Sequence, residues 1–312
     1  MINKDFTIFA GRANVALATS VAIEMGARLG ACTVEHFPDG EVSVCLDEPV
    51  RGREVFIIQP TSPPANDHLI ELLVFADACQ RDGAAHITAV VPYFGYARAD
   101  KRNGRREPIT ASMVADLMQV VGVNHVVTID LHAPQVEGFF RIPVDSLTAV
   151  PVIAEVLRPN LAEGTVIISP DAGRVQMANE YSRQLGAPVV LLQKQRESGA
   201  ETRVTHVVGD VRNRPCLIID DMISTGGTIS ESIEALLAAG ARPEITIAVT
   251  HGLLLPGARE KLMRDEVQEV LVTDSVAVSE PDWSQLRIVS VAPLIAAALQ
   301  SFFIDSLHGS WL

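Results

Sequence analysis

The chain has 312 residues, of which 48% are hydrophobic and 20% charged, a composition typical of a globular protein with a sizeable buried core. Its formal net charge of −13 argues against general binding to nucleic acid or to an anionic membrane surface. No run of about 18 apolar residues predicts a membrane span, and the N-terminal MINKDFTIFAGR lacks the apolar core of a signal peptide. We therefore expect a cytoplasmic protein without nucleic-acid or membrane partners.

Short β-branched and apolar runs recur along the chain between segments with helical periodicity. Because continuous apolar strands that alternate with helices are typical of parallel sheets covered on both faces, the pattern predicts an α/β fold. The predicted helices include Asn66–Gly83 and Ile229–Gly240, each of which ends at a glycine. The predicted strands are Phe6–Phe9, Val55–Gln59, Ile87–Phe94, His125–Leu131, Thr165–Asp171, Pro188–Lys194, Cys216–Asp221, Ile245–His251 and Glu269–Ser275.

The two halves of the chain look alike in outline, although they share little residue identity. Each half has strand–helix units and one strand that runs into an Asp-rich or Arg-rich loop. A boundary near Asp145–Glu155 would leave about 150 residues on either side, an ordinary domain size. We therefore expect an N-terminal domain of residues 1–149 and a C-terminal domain of residues 150–312.

The stretch CLIIDDMISTGGTISES (Cys216–Ser232) joins a predicted strand to a predicted helix. Ligands of open parallel sheets bind beyond the carboxyl ends of the strands, which is where Asp220 and Asp221 lie. The turn that follows offers N–H and hydroxyl donors at a helix N-terminus, which suits a phosphate, and its residues are Ser224, Thr225, Gly226, Gly227 and Thr228. Two carboxylates beside a phosphate fit a sugar whose hydroxyls they bind, directly or through a metal. The pattern favours a phosphorylated sugar over a plain capped turn.

This turn also resembles a known sequence signature. LIIDDMISTGGT is similar to the phosphoribosyl diphosphate (PRPP) signature of type I phosphoribosyltransferases and of ribose-phosphate pyrophosphokinases. Further stretches, in the family order, favour the second family: FPDGE (Phe37–Glu41), PYFGYARAD (Pro92–Asp100), REPITA (Arg106–Ala111), DLHAPQVEGFF (Asp130–Phe140) and SPDAG (Ser169–Gly173). The resemblance covers nearly the whole chain. It implies two phosphoribosyltransferase-like domains, each a parallel-rich sheet flanked by helices.

The resemblance also implies an activity. The family transfers the diphosphoryl group of ATP to the C1 hydroxyl of ribose 5-phosphate, giving PRPP and AMP for nucleotide biosynthesis, and it uses Mg²⁺. The chain is then expected to be a ribose-phosphate diphosphokinase with ATP and ribose 5-phosphate as its small-molecule partners. The N-terminal domain would hold the ATP and regulatory side, and the C-terminal domain the ribose 5-phosphate site and the catalytic loop. The family further implies a homo-oligomer, a hexamer built from dimers.

Lys194 and Arg196 lie in a polar stretch, Gln193–Asp210, that follows a predicted strand. In an extended segment, residues two apart point to one side. Two cations on a closing loop could neutralise the charge that shifts in diphosphoryl transfer, although the residues alone fit a solvated loop as well. The resemblance implies that both are catalytic and that Arg196 also contacts ribose 5-phosphate. Gln195 replaces the usual basic residue between them.

For ribose 5-phosphate, the resemblance implies that Asp220 and Asp221 face the hydroxyls and that Ser224–Thr228 hold the 5-phosphate. Ser224 stands where the family more commonly has Asp. For ATP, it implies that the FPDGE loop reaches the adenine, often across a subunit boundary, with Arg98 as a further nucleotide contact. Alone, FPDGE would suggest an exposed turn, and Ala99 stands where the family has Gln. The expected ATP-binding residues are Phe37, Asp39, Gly40, Glu41, Arg98 and Ala99.

TIDLHAPQ suggests that Asp130 and His132 share one face of a strand end. The residues alone leave open a general-base pair, a metal site or a core histidine. Mg²⁺ prefers oxygen ligands and keeps several waters, so composition would not predict a histidine near it. The resemblance nevertheless implies that His132 and Asp171 bind metal close to Mg²⁺–ATP, and we expect Asp130 to join them.

Two departures bear on regulation. KRNGRREP (Lys101–Pro108) has Gly104 where the family has Arg and Arg105 where it has Ser, and Asp305–Leu312 only partly matches the family's Ser-rich ending. Because a glycine removes a five-donor anion clamp, we expect weaker or altered phosphate activation and ADP inhibition.

Two alternatives remain, a non-catalytic subunit of the same fold and a phosphoribosyltransferase that consumes PRPP. Intact catalytic-loop residues argue against the first, and FPDGE with GYAR argues against the second. The cysteines are scattered without a CxxC motif and are expected to be buried thiols in a reducing cytoplasm.

Overall fold

The structure, a computed structural model, describes residues 6–102, 104, 106–196 and 202–304, with the side chains of 194–196, 202–205 and 304 outside the description. The chain forms two compact units. The first contains the described residues up to Leu147 together with Ser275–Ala277 and those from Ser290 onward, and the second contains Thr148–Asp274 and Val278–Val289. The last helix therefore belongs to the first unit, whereas the boundary expected at residue 149 had placed it in the second domain.

Strands and helices alternate through most of the described chain. Up to Leu147 the elements are β1 (Phe6–Ala10), α1 (Val15–Glu24), β2 (Cys32–His36), β3 (Val42–Leu46), β4 (Glu54–Ile58), α2 (Ala65–Arg81), β5 (His86–Val91), α3 (Thr110–Val120), β6 (His125–Ile129) and β7 (Val144–Leu147). From Val150 onward they are α4 (Val150–Leu157), β8 (Val166–Ser169), α5 (Val175–Leu185), β9 (Val189–Arg196), β10 (Thr202–Val208), β11 (Cys216–Ile223), α6 (Gly227–Ala238), β12 (Ile245–Gly252), α7 (Ala258–Leu262), β13 (Val267–Thr273), β14 (Leu286–Val289) and α8 (Ala292–Ile304).

The sheet of the first unit has the strand order β1-β4-β5-β6-β7, and all of its neighbouring strands are parallel. Alternation along β4 explains why both faces are covered. Val55 and Ile57 join the core cluster that α2 and α3 complete, while the Phe56 ring contacts Phe303 of α8 with centroids 6.0 Å apart. Because every strand runs the same way, the carboxyl ends of all these strands lie along one edge of the sheet.

The sheet of the second unit has the order β10-β9-β8-β11-β12-β13-β14. Its neighbours are parallel except for β10, an edge strand antiparallel to β9. The central strands are almost continuously buried, and their apolar side chains pack with α6 around Ile218, Ile233 and Ile247. Such runs are what a strand covered on both faces requires. The carboxyl ends of β9, β8 and β11 are therefore side by side.

The α/β fold with parallel-rich sheets and flanking helices is confirmed, and each strand predicted from the sequence is present with bounds shifted by a few residues. The sequence did not reveal β7, β14 or the antiparallel β2–β3 hairpin. The expectation of a polar loop over Gln193–Asp210 is wrong for most of that stretch, because β9 extends to Arg196 and pairs with β10. Amphipathic edge strands carry too few apolar residues to stand out from a loop.

The prediction of buried cysteines is correct for Cys79 and Cys216, where burial raises the pKa of each thiol to about 12. It is wrong for Cys45, which is exposed on β3, and only partly right for Cys32. Among the residues described, no helix combines the length and apolar character needed to cross a membrane.

Candidate active site

The carboxyl edge of the second sheet collects most of the residues that the sequence singled out in the C-terminal half. Lys194 and Arg196 lie at the end of β9, and Asp171 follows β8. Asp220 and Asp221 lie near the end of β11, which extends to Ile223 rather than ending at the acids. β8 pairs with both β9 and β11 in parallel, so all these positions share one edge.

Asp220 and Asp221 form a buried acid pair. Their exposed fractions are 8% and 1%, and the Asp221 N–H donates to Asp220 Oδ1 at 2.9 Å. Arg174 Nε lies 3.3 Å from Oδ1 of each carboxylate. Burial raises the pKa of Asp220 well above its usual range, the neighbouring charge of Asp221 acts in the same direction, and Arg174 opposes both. The pair therefore depends on its arginine to carry negative charge.

The turn after β11 is held from one side by the segment around α7. The Ser224 carbonyl accepts from the Leu255 N–H at 2.9 Å, and the Thr225 carbonyl accepts from Lys261 Nζ at 3.1 Å. Gly226 precedes α6 with φ of 73°, a left-handed conformation that favours glycine, and an added Cβ would lie 3.4 Å from the Ala258 carbonyl oxygen. A glycine cap supplies no side-chain oxygen to the first helical N–H groups, which suits an anion there.

Asp171 caps a short 3₁₀ turn, Ala172–Arg174, between β8 and α5. Its Oδ1 accepts from the Gly173 N–H at 2.8 Å, and its carbonyl accepts from Ser169 Oγ at 2.8 Å. This turn is what places Arg174 against the acid pair. Lys194 and Arg196 are in β9, so the expected extended backbone is observed, while their side chains lie outside the described residues.

In the first unit, FPDGE forms the connection of the β2–β3 hairpin. The Phe37 N–H donates to the Glu41 carbonyl at 2.8 Å, and the Gly40 N–H donates back to the Phe37 carbonyl at 2.9 Å. Gly40 has φ of 95°, and Asp39 Oδ1 accepts from the Glu41 N–H at 3.1 Å. The loop is exposed, including 52% of Phe37. An exposed aromatic ring on an ordered turn can stack on a planar ligand.

Arg12 connects this hairpin to the sheet. Its Nε donates to Oε2 of Glu71 at 2.8 Å, and its Nη1 and Nη2 lie 3.0 Å from the two ring nitrogens of His36, the last residue of β2. Glu71, on α2, is fully buried and also accepts from the Arg12 N–H and from Gln59 Nε2. The loop of the hairpin therefore begins next to an ion pair whose carboxylate is buried and whose arginine is partly exposed.

Arg98 is exposed beyond the carboxyl end of β5, where the next residue, Ala99, donates its N–H to the Tyr96 carbonyl at 2.8 Å. The expectation that Asp130 and His132 share a strand face is wrong. β6 ends at Ile129, and Asp130 has φ of 41°, so the alternation of an extended strand does not apply there. Both residues remain at the carboxyl edge of the first sheet.

Among the described residues, no group of three or more His, Cys, Asp or Glu side chains is arranged to hold a metal ion. Asp130 and His132 lie in one unit and Asp171 in the other.

Sequence reasoning missed Arg174 and Arg12. Each is a single arginine beside a recognised motif, Arg174 after SPDAG and Arg12 in FAGRAN. An arginine just beyond the carboxyl end of a predicted strand was the available signal, and it is a weak one. Arg105 and Asp305–Leu312, which bear on the expected regulation, lie outside the described residues, whereas Gly104 is described as exposed with φ of 82°.

Comparison with known families matches both halves of the chain. Residues 6–122 match the N-terminal domain of ribose phosphate pyrophosphokinase, and residues 153–284 match the phosphoribosyl transferase domain.

Curated relatives match over nearly their full length. Ribose-phosphate pyrophosphokinase of Brucella melitensis is 43% identical over 94% of this chain and 95% of its own. The enzyme of the same name from Staphylococcus aureus is 42% identical over 95% of this chain and 94% of its own. Among solved structures, phosphoribosylpyrophosphate synthetase from Mycobacterium smegmatis superposes with a TM-score of 0.91 and 39% identity, covering 97% of this chain and 100% of that one.

Proposed function

Because the chain belongs to the ribose-phosphate pyrophosphokinase family, we propose that it transfers the diphosphoryl group of ATP to the C1 hydroxyl of ribose 5-phosphate. The products are PRPP and AMP. One observation carries the proposal: the acid pair, the glycine-rich turn and the end of β9 lie along the same edge of the second sheet. A sugar phosphate and two cations can meet at such an edge.

Ribose 5-phosphate binds with its phosphate at the turn Ser224–Thr228 and its hydroxyls at Asp220 and Asp221. Two of the turn's carbonyls are engaged by Leu255 and Lys261, so the anion meets N–H and hydroxyl donors at the start of α6. Ionised carboxylates are acceptors only, and sugar hydroxyls supply the matching donors. Ser224 adds a hydroxyl donor without placing a further negative charge beside the phosphate.

In the transfer step, the C1 oxygen of the sugar forms a bond to the β-phosphorus of ATP. The bond between that phosphorus and the oxygen bridging to the α-phosphorus breaks, AMP leaves, and the C1 hydroxyl loses its proton. Such reactions need positioning and charge stabilisation more than covalent help. Lys194 and Arg196 supply positive charge where negative charge builds on the transferred group, and Arg196 also contacts the sugar phosphate.

ATP binds through the FPDGE loop and the region of Arg98. Phe37 stacks on the adenine, the backbone and side chains of Asp39, Gly40 and Glu41 complete the contact, and the Arg98 guanidinium pairs with phosphate. The large exposed fraction of Phe37 supports this role, because a stacking ring must be accessible. Ala99 offers no side-chain hydrogen bond, so nucleotide affinity is expected to be lower than with a Gln there.

We also propose Mg²⁺ as the metal. When bound, it neutralises charge on the phosphates that are transferred. Mg²⁺ needs oxygen ligands and keeps several waters, and Asp130 in the first unit and Asp171 in the second each offer carboxylate oxygens of the required kind. We propose His132 as a further metal-binding residue, as the family resemblance implies, although Mg²⁺ prefers oxygen ligands.

The chain is further proposed to be a cytoplasmic homo-oligomer, a hexamer built from dimers. Exposed apolar side chains on α3 at helical spacing support burial against another copy: Met113, Leu117 and Val120. Light scattering at micromolar concentration tests this, and a monomer would contradict it.

The activity is tested by incubating the protein with ATP, ribose 5-phosphate and Mg²⁺ and separating the products by ion exchange. We expect AMP and PRPP in equal amounts, and neither when ribose 5-phosphate is omitted. A second incubation supplies PRPP and a nucleobase. Nucleotide formation there, without AMP formation in the first, would instead identify a phosphoribosyltransferase.

A further inference from the structure

Arg174 lies at the sugar site, although no motif pointed to it. It ends the 3₁₀ turn after β8, and its side chain is only 12% exposed. Its Nε lies 3.3 Å from Oδ1 of Asp220 and 3.3 Å from Oδ1 of Asp221. One guanidinium nitrogen thus faces both acids of the pair.

Two adjacent buried carboxylates are unfavourable without a nearby cation. Each is desolvated, and each repels the other, so removing positive charge favours a proton on one of them. A proton would turn an acceptor into a donor and break the match with a sugar hydroxyl. Arg174 supplies the needed charge from within the protein and from a direction fixed by the turn.

The arginine also fixes the direction of the carboxylates. Asp220 Oδ1 accepts from the Asp221 N–H at 2.9 Å and faces Arg174 Nε on the same atom. One hydrogen bond and one ion pair at the same oxygen favour a single orientation of the carboxylate. In addition, one positive charge reduces the repulsion between the acid pair and a bound phosphate ester.

We propose that Arg174 is a positioning residue of the ribose subsite, keeping Asp220 and Asp221 charged and oriented to accept hydrogen bonds from the sugar hydroxyls. This inference rests on the proposed function, because it assumes that the acids bind ribose 5-phosphate. Arg174 acts through the acids and need not touch the substrate.

The first test measures ribose 5-phosphate binding by calorimetry in wild type, Arg174→Gln and Arg174→Lys. Losing a charged partner of this kind is expected to weaken sugar phosphate binding about 10- to 100-fold, with the lysine variant intermediate and ATP binding changed less than threefold. Arg183→Gln is the matched control, since Arg183 lies on α5, is largely exposed and pairs with Glu180. It should bind like wild type.

A double-mutant cycle separates positioning from general damage. If Arg174 acts through Asp220, then Arg174→Gln should weaken binding far less in an Asp220→Asn background than in wild type. Full additivity, or a sugar-phosphate affinity of Arg174→Gln within twofold of wild type, overturns the inference. If the glutamine variant fails to fold, the same comparison is made with Arg174→Lys.

The outcomes also distinguish this inference from the proposed function. Wild type that neither binds ribose 5-phosphate nor forms AMP contradicts the function. Wild type that binds the sugar phosphate normally, with an unaffected Arg174→Gln variant, contradicts only the role of Arg174.

Discussion

At the scale of single residues, Lys194 should affect turnover rather than sugar binding. Replacing it with alanine removes one cation from the end of β9, and loss of a charge-stabilising donor lowers kcat about 10²- to 10³-fold. Steady-state kinetics should show this fall with little change in the KM for ribose 5-phosphate. Gln193→Ala, one residue before it on the same strand, is the control. A kcat near that of wild type in Lys194→Ala would contradict the catalytic role.

Asp220 is expected to lower the stability of the folded protein at neutral pH while it contributes to ribose 5-phosphate binding. Because its pKa is raised by burial, the folded protein holds this proton more tightly than the unfolded chain does. The bound proton on Asp220 stabilises the folded protein fully below about pH 4, where an unfolded aspartate titrates. This stabilisation is lost as the pH rises through the pKa of Asp220 in the folded protein. Asp220→Asn should therefore gain thermal stability relative to wild type at pH 7 more than at pH 4.

The same variant should weaken ribose 5-phosphate binding more than ATP binding. Differential scanning calorimetry at the two pH values and titration with each ligand make the two measurements. A stability difference that does not change with pH would contradict the electrostatic argument, and a larger loss for ATP would reverse the assignment of the sites.

At the scale of elements, the β2–β3 hairpin contacts the ion pair of Arg12 and Glu71 through His36. Arg12→Ala leaves Glu71 buried without its arginine, which is expected to lower the free energy of unfolding by about 2–3 kcal/mol. It should also raise the KM for ATP, because His36 at the base of the FPDGE loop loses its contact. Denaturant unfolding and kinetics provide the measurements.

Arg28→Ala is the matched control for this prediction. Arg28 pairs with Glu48 at 2.7 Å but is largely exposed, so its loss should change stability by less than about 1 kcal/mol. If both substitutions changed the free energy of unfolding equally, the Arg12–Glu71 pair would stabilise the protein no more than an exposed surface pair does.

The buried strands and the turn after β11 could be predicted from the sequence, whereas contacts between distant residues could not. Buried parallel strands such as β11 were predictable, because a strand covered on both faces must be apolar throughout. The Asp220–Thr228 turn was predictable because its chemistry is contiguous in the chain. The roles of Arg174 and Arg12 were not predictable, because each contacts its acid partner only in the folded protein. Arg174 is 46 residues from Asp220 in the sequence, and Arg12 is 59 residues from Glu71.

At the scale of the whole molecule, the stretch Lys101–Pro108 is the basis for an expectation about regulation by phosphate and ADP. Among the described residues, no atom lies within 4 Å of the position that a Cβ on Gly104 would take, and its φ of 82° is the local feature that favours glycine. We predict that ADP acts mainly as a competitor of ATP. Inhibition by ADP should disappear at saturating ATP, and activity should not depend strictly on phosphate. Inhibition that persists at saturating ATP, together with a strict phosphate requirement, would contradict this.

The transfer of an intact diphosphoryl group is the central claim, and isotope tracing tests it most directly. Two parallel reactions contain ribose 5-phosphate and Mg²⁺ with ATP labelled by ³²P at the β- or at the γ-position. We expect both labels to appear in PRPP and AMP to carry neither. Transfer of the γ-label alone, with the β-label recovered in ADP, would identify a single-phosphoryl kinase and contradict the account.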